Sequence, residues 1–176
     1  MIFSLKHVVF TLLVLVALGC KDDKPKTLNI ETEEQIAART ISPEDIAEIE
    51  YLDYGLSQDS RRAVENWQKY NLLSEQIEYI KKADLGYFNE ETELIKTFTK
   101  EFRAEMPKEI KSKEISARIT ALDTKIQKLN SLLRLSSSTK QEKIQGIKEL
   151  LIAFRNLKLQ INKKFEFEKN NVLRPE

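Results

Sequence analysis

The chain carries one thiol, Cys20, and one imidazole, His7, against 28 carboxylate and 29 lysine and arginine side chains in 176 residues. A thiol can attack a substrate, ligate a metal, pair with a second thiol or accept a lipid. A single cysteine cannot close an internal disulfide. Zinc, copper and haem sites draw on histidines and cysteines, and a Ser-His or Cys-His nucleophile needs an imidazole, so all of these depend on whether His7 and Cys20 stay free in the mature chain. No glycine-rich phosphate loop and no EF-hand spacing of acids occurs in the sequence. Two carboxylates at a suitable separation could hydrolyse a glycoside. The acids here stand beside cations at helical spacing instead, as Glu75 and Glu78 do with Lys82, which is the pattern of a solvated charge network. The strongest binding chemistry is cationic: residues 111–176 hold 15 basic against 7 acidic residues. Lys140, Lys143, Lys163 and Lys164 are the candidate anion-binding residues, suited to lipopolysaccharide phosphate, an acidic glycan or an acidic protein surface. An ordinary solubilising surface would carry the same charges.

The residues before Cys20 decide its chemistry. Lys6 and His7 precede an apolar run over residues 8–18, broken only by Thr11. That run is too short for a ~30 Å hydrocarbon core, which needs ~20 residues. It matches the ~7–15-residue apolar region of a secretory signal. It also lacks the polar face of a packed helix. Residues 1–19 are therefore expected to be a cleaved signal peptide, and His7 leaves with it. Ala17-Leu18-Gly19-Cys20 resembles the lipobox of bacterial lipoproteins, with Ala17 where leucine is commoner. The resemblance implies diacylglycerol on the Cys20 sulfur and a fatty acyl group on its amine, and no other cofactor is expected. Two or three such chains anchor a protein stably, whereas one of ~14 carbons holds it only marginally. Lys21, Asp22 and Asp23 resemble the export signal of Bacteroidetes-type surface lipoproteins. The aspartate that retains enteric lipoproteins at the inner membrane is absent, because Lys21 follows the cysteine. The expected address is the outer membrane, on either leaflet. The mature chain would then hold neither histidine nor free thiol, and it is read as a non-enzyme.

Two blocks of opposite charge follow. Residues 21–56 carry ten acidic against four basic residues, and residues 57–176 carry 24 basic against 18 acidic. The first block reads as an acidic tether with one short helix, from about residue 43 to 53. Ser42 is its N-cap, Pro43 its first residue, Asp45 completes a capping box, and Gly55 is the expected terminator. Ile46, Ile49 and Leu52 would share a face that docks on the body.

Residues 57–170 read as an all-α antiparallel bundle of about four helices, with a short tail over 171–176. Helix one spans about 58–83, with Ala63, Trp67, Tyr70, Leu73, Ile77 and Ile80 as its stripe and Gly86 ending it. Helix two, capped by Asn89, shows Leu94, Phe98 and Phe102 and stops near Pro107. Helix three, about 108–135, places Ile115, Ile119, Leu122, Ile126, Leu129 and Leu133 at heptad spacing. Helix four, about 140–167, repeats the pattern from Ile144 to Phe165, interrupted by Lys158, and Thr139 with Glu142 caps it. The short turn between helices three and four makes them an antiparallel hairpin. The heptads can be satisfied within one chain, favouring a monomer, or between chains as a coiled coil.

Trp67 and Tyr70 are expected to pack in the core, and Tyr87 and Phe88 either to plug the end of the bundle or to meet a partner. Two function classes stay open. One is a membrane-anchored structural or adaptor domain that binds an envelope protein. The other is a module binding an anionic glycan, lipopolysaccharide or lipid through the basic hairpin or a pocket. Nucleic acid is not an expected partner at such an address.

Overall fold

The long C-terminal run of alternating apolar and charged residues forms the element around which the rest is built. In the computed structural model, which describes residues 32–170, it is one helix over Lys140–Asn170, 31 residues and about 46 Å long. The described residues contain helices and no strand, so the all-helical expectation holds. In chain order the α-helices are α1 (Glu33–Arg39), α2 (Pro43–Ala47), α3 (Gln58–Val64), α4 (Gln68–Ile80), α5 (Thr92–Ala104), α6 (Lys113–Arg134) and α7 (Lys140–Asn170). Short 3-10 turns at Tyr87–Asn89 and Lys108–Ile110 precede α5 and α6. The expected signal peptide, Cys20, Lys21, Asp22, Asp23 and the 171–176 tail lie outside the described residues.

The heptad on α6 buries Ile115, Ile119, Leu122, Ile126 and Leu129 against Ile147, Leu150, Leu151, Phe154, Leu157 and Ile161 of α7 and the rest of the core. Lys125 and Lys128 reach Glu149, and Gly146 backs onto Leu129 and Leu132. Further along, Ser112 and Glu114 lie beside Gln160 and Lys164, so the two helices run antiparallel. Thr139 and Glu142 form the expected reciprocal cap, the Thr139 N–H donating to the carboxylate at 2.7 Å and the Glu142 N–H to the hydroxyl at 3.2 Å. From 150 to 162 no residue of α7 is fully exposed.

Several boundaries differ from the sequence expectation, among them the start of helix three, which begins at Lys113 after a 3-10 turn at Lys108–Ile110. The helix expected over about 58–83 breaks at Trp67, whose φ −85°, ψ 89° is not helical. Leaving the helix lets the indole N–H donate to the Phe102 carbonyl at 3.1 Å and lays the ring 4.5 Å from Phe102 and 5.5 Å from Tyr70. Burying so large a ring with its N–H satisfied outweighs one lost helical turn. Asn71 closes the break by donating to the Glu65 carbonyl at 2.8 Å.

At the other end of α4, Ala83 takes the left-handed conformation at φ 61°. The Asp84 N–H bonds the Tyr79 carbonyl and the Ala83 N–H the Ile80 carbonyl, a Schellman closure formed without glycine. Gly86 is right-handed helical and opens the 3-10 turn instead of ending the helix. Asn89 sits inside that turn, and Glu91 is the N-cap of α5. Consequently Leu94 faces outward, 58% exposed, and Ile95 joins Phe98 and Phe102 in the core.

The helix expected over 43–53 stops at Ala47. Its capping box is present: Asp45 accepts from the Ser42 N–H at 2.7 Å, and Ser42 Oγ accepts from the Asp45 N–H at 3.3 Å. Ile46 is buried and Ile49 half-buried, but Leu52 is 71% exposed. Gly55 has no left-handed φ and ends no helix. Residues 49–57 form no regular element; Ile49, Tyr51 and Leu56 pack against the core, while α7 holds residues 52–57 through hydrogen bonds and an ion pair.

Candidate functional site

The four candidate lysines occupy the two ends of α7. Lys140 pairs with Asp45 at 2.7 Å. That bond, with the N–H donated by Ser42, holds the Asp45 carboxyl below its usual range. Lys143 lines a small cleft with Thr40, Ile41, Ala83 and Leu133. Lys163 pairs with Glu166 at 2.7 Å, and Lys164 with Glu168. Twenty-three residues of rigid helix separate Lys140 from Lys163, about 35 Å. The structure therefore does not gather the four into one cationic patch, and three of them already face a carboxylate.

The interior is filled with aromatic rings. Trp67 stacks on Tyr70, Tyr70 lies 5.5 Å from Phe154, and Phe98 bridges Phe102 to the edge of Tyr87, which also meets Phe88. Trp67 and Tyr70 are core residues as expected. Phe88 is fully buried and joins the core, with half-buried Tyr87 packed against its edge. Burial, with the nearby Glu101 charge, pushes the Tyr87 hydroxyl up to about 12.

Two open grooves mark the surface. One, about 750 Å³, lies where α6 begins and α7 ends, with Phe167 70% exposed in it. Its charges balance, Lys111, Lys163 and Lys164 against Glu114, Glu166 and Glu168. The other, about 950 Å³, runs between residues 55–65 and 70–74 beside Lys158, and carries Arg61 and Arg62.

The most specific recognition on the molecule is the grip of α7 on residues 51–57. Asn162 donates from Nδ2 to the Gly55 carbonyl at 2.8 Å and accepts the Ser57 N–H at 2.9 Å. Both ends of one amide thus read the main chain at two nearby points. Arg155 donates to the Leu52 carbonyl at 3.4 Å and lies over the Tyr54 ring, 5.7 Å from its centre. Lys158, only 12% exposed, binds the Asp53 carboxylate and sits 5.2 Å above the Phe154 ring. The same carboxylate adds to burial in pushing the Tyr70 hydroxyl up. The strap follows α7 in parallel: Asp45 meets Lys140, Asp53 meets Lys158, and Ser57 meets Asn162.

Sequence reasoning missed Arg155, Asn162 and Asp53. Lys158, which interrupts an apolar stripe, was the visible signal, but its partner lies 105 positions away in the chain. Asn130, 1% exposed, was also missed: it donates to the Phe88 and Glu90 carbonyls at 2.9 and 2.8 Å and accepts from Thr92 at 3.0 Å.

Among the described residues no group of three or more histidine, cysteine or acidic side chains is placed to hold a metal ion, and no helix is long and apolar enough to cross a membrane. Compared with known proteins, the chain matches no family model, no curated protein and no solved structure.

Proposed function

We propose that this protein is a lipid-anchored adaptor of the bacterial cell envelope, a non-catalytic helical domain that holds another protein at the outer membrane. In this reading residues 1–19 are removed as a lipoprotein signal, Cys20 carries diacylglycerol and acyl chains, and Lys21, Asp22 and Asp23 direct the anchored protein to the cell surface. The body acts as a monomeric bundle, with the heptads of α6 and α7 spent on each other. The observation that carries the adaptor assignment is the interior. Trp67, Tyr70, Phe88, Phe98, Phe102 and Phe154 fill the space that a bundle built around a ligand would leave open. With the inside occupied, recognition falls to the surface. Polyanion binding is the second reading, because Lys140, Lys163 and Lys164 each already pair with a carboxylate of the same chain.

The anchor is tested by Cys20→Ala, which should lose lipid labelling and move the protein out of the membrane fraction. Labelling and membrane association unchanged in that variant would refute it. Replacing Lys21, Asp22 and Asp23 together with alanine should abolish protease accessibility on intact cells and leave lipidation in place. Wild-type protein shielded from protease in intact cells would assign it to the periplasmic leaflet.

A further inference from the structure

We propose that the outward face of the α6–α7 hairpin is a docking groove for an acidic amphipathic helix of a partner protein. The inference rests on the adaptor reading above and names the surface that does the adapting.

Three observations carry it. First, the middle of α7 is apolar on two opposite sides. Leu150, Phe154, Leu157 and Ile161 point into the core. At about 100° per residue, Ile152 and Leu159 lie about 170° around the helix from that stripe, and both are partly exposed. A helix that is apolar on opposite sides is one built to be covered on both. The core is one cover, and the partner helix is the other.

Second, the surface between the two helices is a trough. It holds about 180 Å³ and is lined by Ala121 of α6 and by Ile152 and Ala153 of α7, with Arg118 and Lys125 on the α6 side. Two alanines let a third helix lie close to both of the first two. Ile152 and Leu159 stand one heptad apart, so they meet apolar residues at the i and i+7 positions of such a helix.

Third, charge selects the occupant. Arg118 and Lys125 line the trough, Lys128 follows on α6, and Lys148 sits one turn before Ile152 on α7. The carboxylate among them, Glu149, is already shared by Lys125 and Lys128. Arg118 and Lys148 have no hydrogen-bond or ion-pair partner among the described residues. A two-fold contact between two copies of this face would set cations against cations. A flat bilayer would meet the rim of a trough and leave its apolar lining uncovered. A helix with an apolar stripe flanked by glutamate or aspartate satisfies the stripe, the trough and the cations together.

The experiment uses the full chain and a fluorescent helical peptide, three heptads of Leu-Glu-Glu-Leu-Ala-Glu-Glu. Its control carries lysine in place of every glutamate. The acidic peptide should bind at least about ten-fold more tightly than the basic one, and should weaken as salt rises to about 0.5 M. Changing Arg118→Glu and Lys148→Glu together should weaken it at least about ten-fold. Ile152→Gln should do the same, about ten-fold, with the urea midpoint close to that of the parent. A photoactivatable side chain at Ala121 should crosslink to the peptide. One at Gln127 should not, because it lies a heptad on from Thr120, which meets Arg103 on the α5 side. The crosslink is read in a chain that keeps its binding, so it does not depend on a weakened variant.

Equal binding of the two peptides would overturn the proposal. So would unchanged binding in Ile152→Gln or in the doubly charge-reversed chain, or crosslinking from Gln127 in place of Ala121. Capture by vesicles of anionic phospholipid that Ile152→Gln abolishes would make the face a membrane contact instead. A dimer in sedimentation that Ile152→Gln dissolves would make it an interface between copies. None of these measurements involves Cys20 or a cell, so their failure leaves the adaptor reading standing, and that reading is tested separately by crosslinking in cells.

Discussion

Gly146 sits in the interior of α7 and faces α6, where two opposed effects can be weighed. A Cβ placed there would lie 2.8 Å from Leu132 Cδ1, 3.5 Å from Leu129 Cδ1 and 4.0 Å from the Leu129 Cα. Gly146→Ala gains about 1 kcal/mol of helix propensity. Its clash is with the end of a half-buried leucine, which can swing outward at a cost of about 0.5–1.5 kcal/mol. The two nearly cancel, so the alanine variant should lie within about 1 kcal/mol of the parent. Gly146→Leu adds three more carbons along a line that ends on the α6 backbone, which cannot move without parting the helices. Overpacking of this kind costs about 1–3 kcal/mol or more. After the propensity gain, a net loss of about 1–2 kcal/mol and a fall in melting temperature of about 3–8 °C should follow. Urea and thermal unfolding followed by far-UV circular dichroism would measure both. A leucine variant as stable as the alanine variant would mean that α6 and α7 do not approach closely at this point.

Ala83→Gly should stabilise the protein by about 0.5–1 kcal/mol, since φ 61° is costly for alanine and the larger unfolded-state freedom of glycine offsets only part of the relief; no gain in urea midpoint would contradict the Schellman closure. Asn130→Ala should cost about 2–4 kcal/mol, because it strands the Phe88 and Glu90 carbonyls in a buried site; a loss below about 1 kcal/mol would show that water replaces the amide. Hydrogen bonds from Lys128 and then Lys125 hold the Glu149 carboxyl down at about 2. Its folded pKa is depressed, so its contribution is present above the ordinary carboxylate range and is lost as pH falls toward 2. Glu149→Gln should therefore lose about 1 kcal/mol at pH 7, discounted for solvent screening, and almost nothing near pH 2; a pH-independent difference would refute the pairing.

The elements legible in the sequence were those stabilised by their own neighbours. The heptad of α6 and the Thr139–Glu142 cap are local patterns, and the structure forms both. The break at Trp67 was not legible, because it exists to deliver an indole N–H to Phe102, 35 positions away. The end of α2 at Ala47 has the same origin: residues 49–57 meet core side chains and Arg155, Lys158 and Asn162, all distant in the chain. Lys158 could be seen as an intruder in an apolar stripe, but its physical resolution, a carboxylate delivered by the acidic segment, depends on the folded arrangement. The candidate lysines failed as a cluster for a simple reason. Nearness in composition along one helix is not nearness in space.

The most direct test of an anchored adaptor is crosslinking in intact cells, comparing the wild-type chain with Cys20→Ala and identifying what is captured. The account predicts discrete adducts with an envelope protein that depend on Cys20. Capture of lipopolysaccharide or glycan alone, or the same protein adducts after release from the membrane, would contradict it.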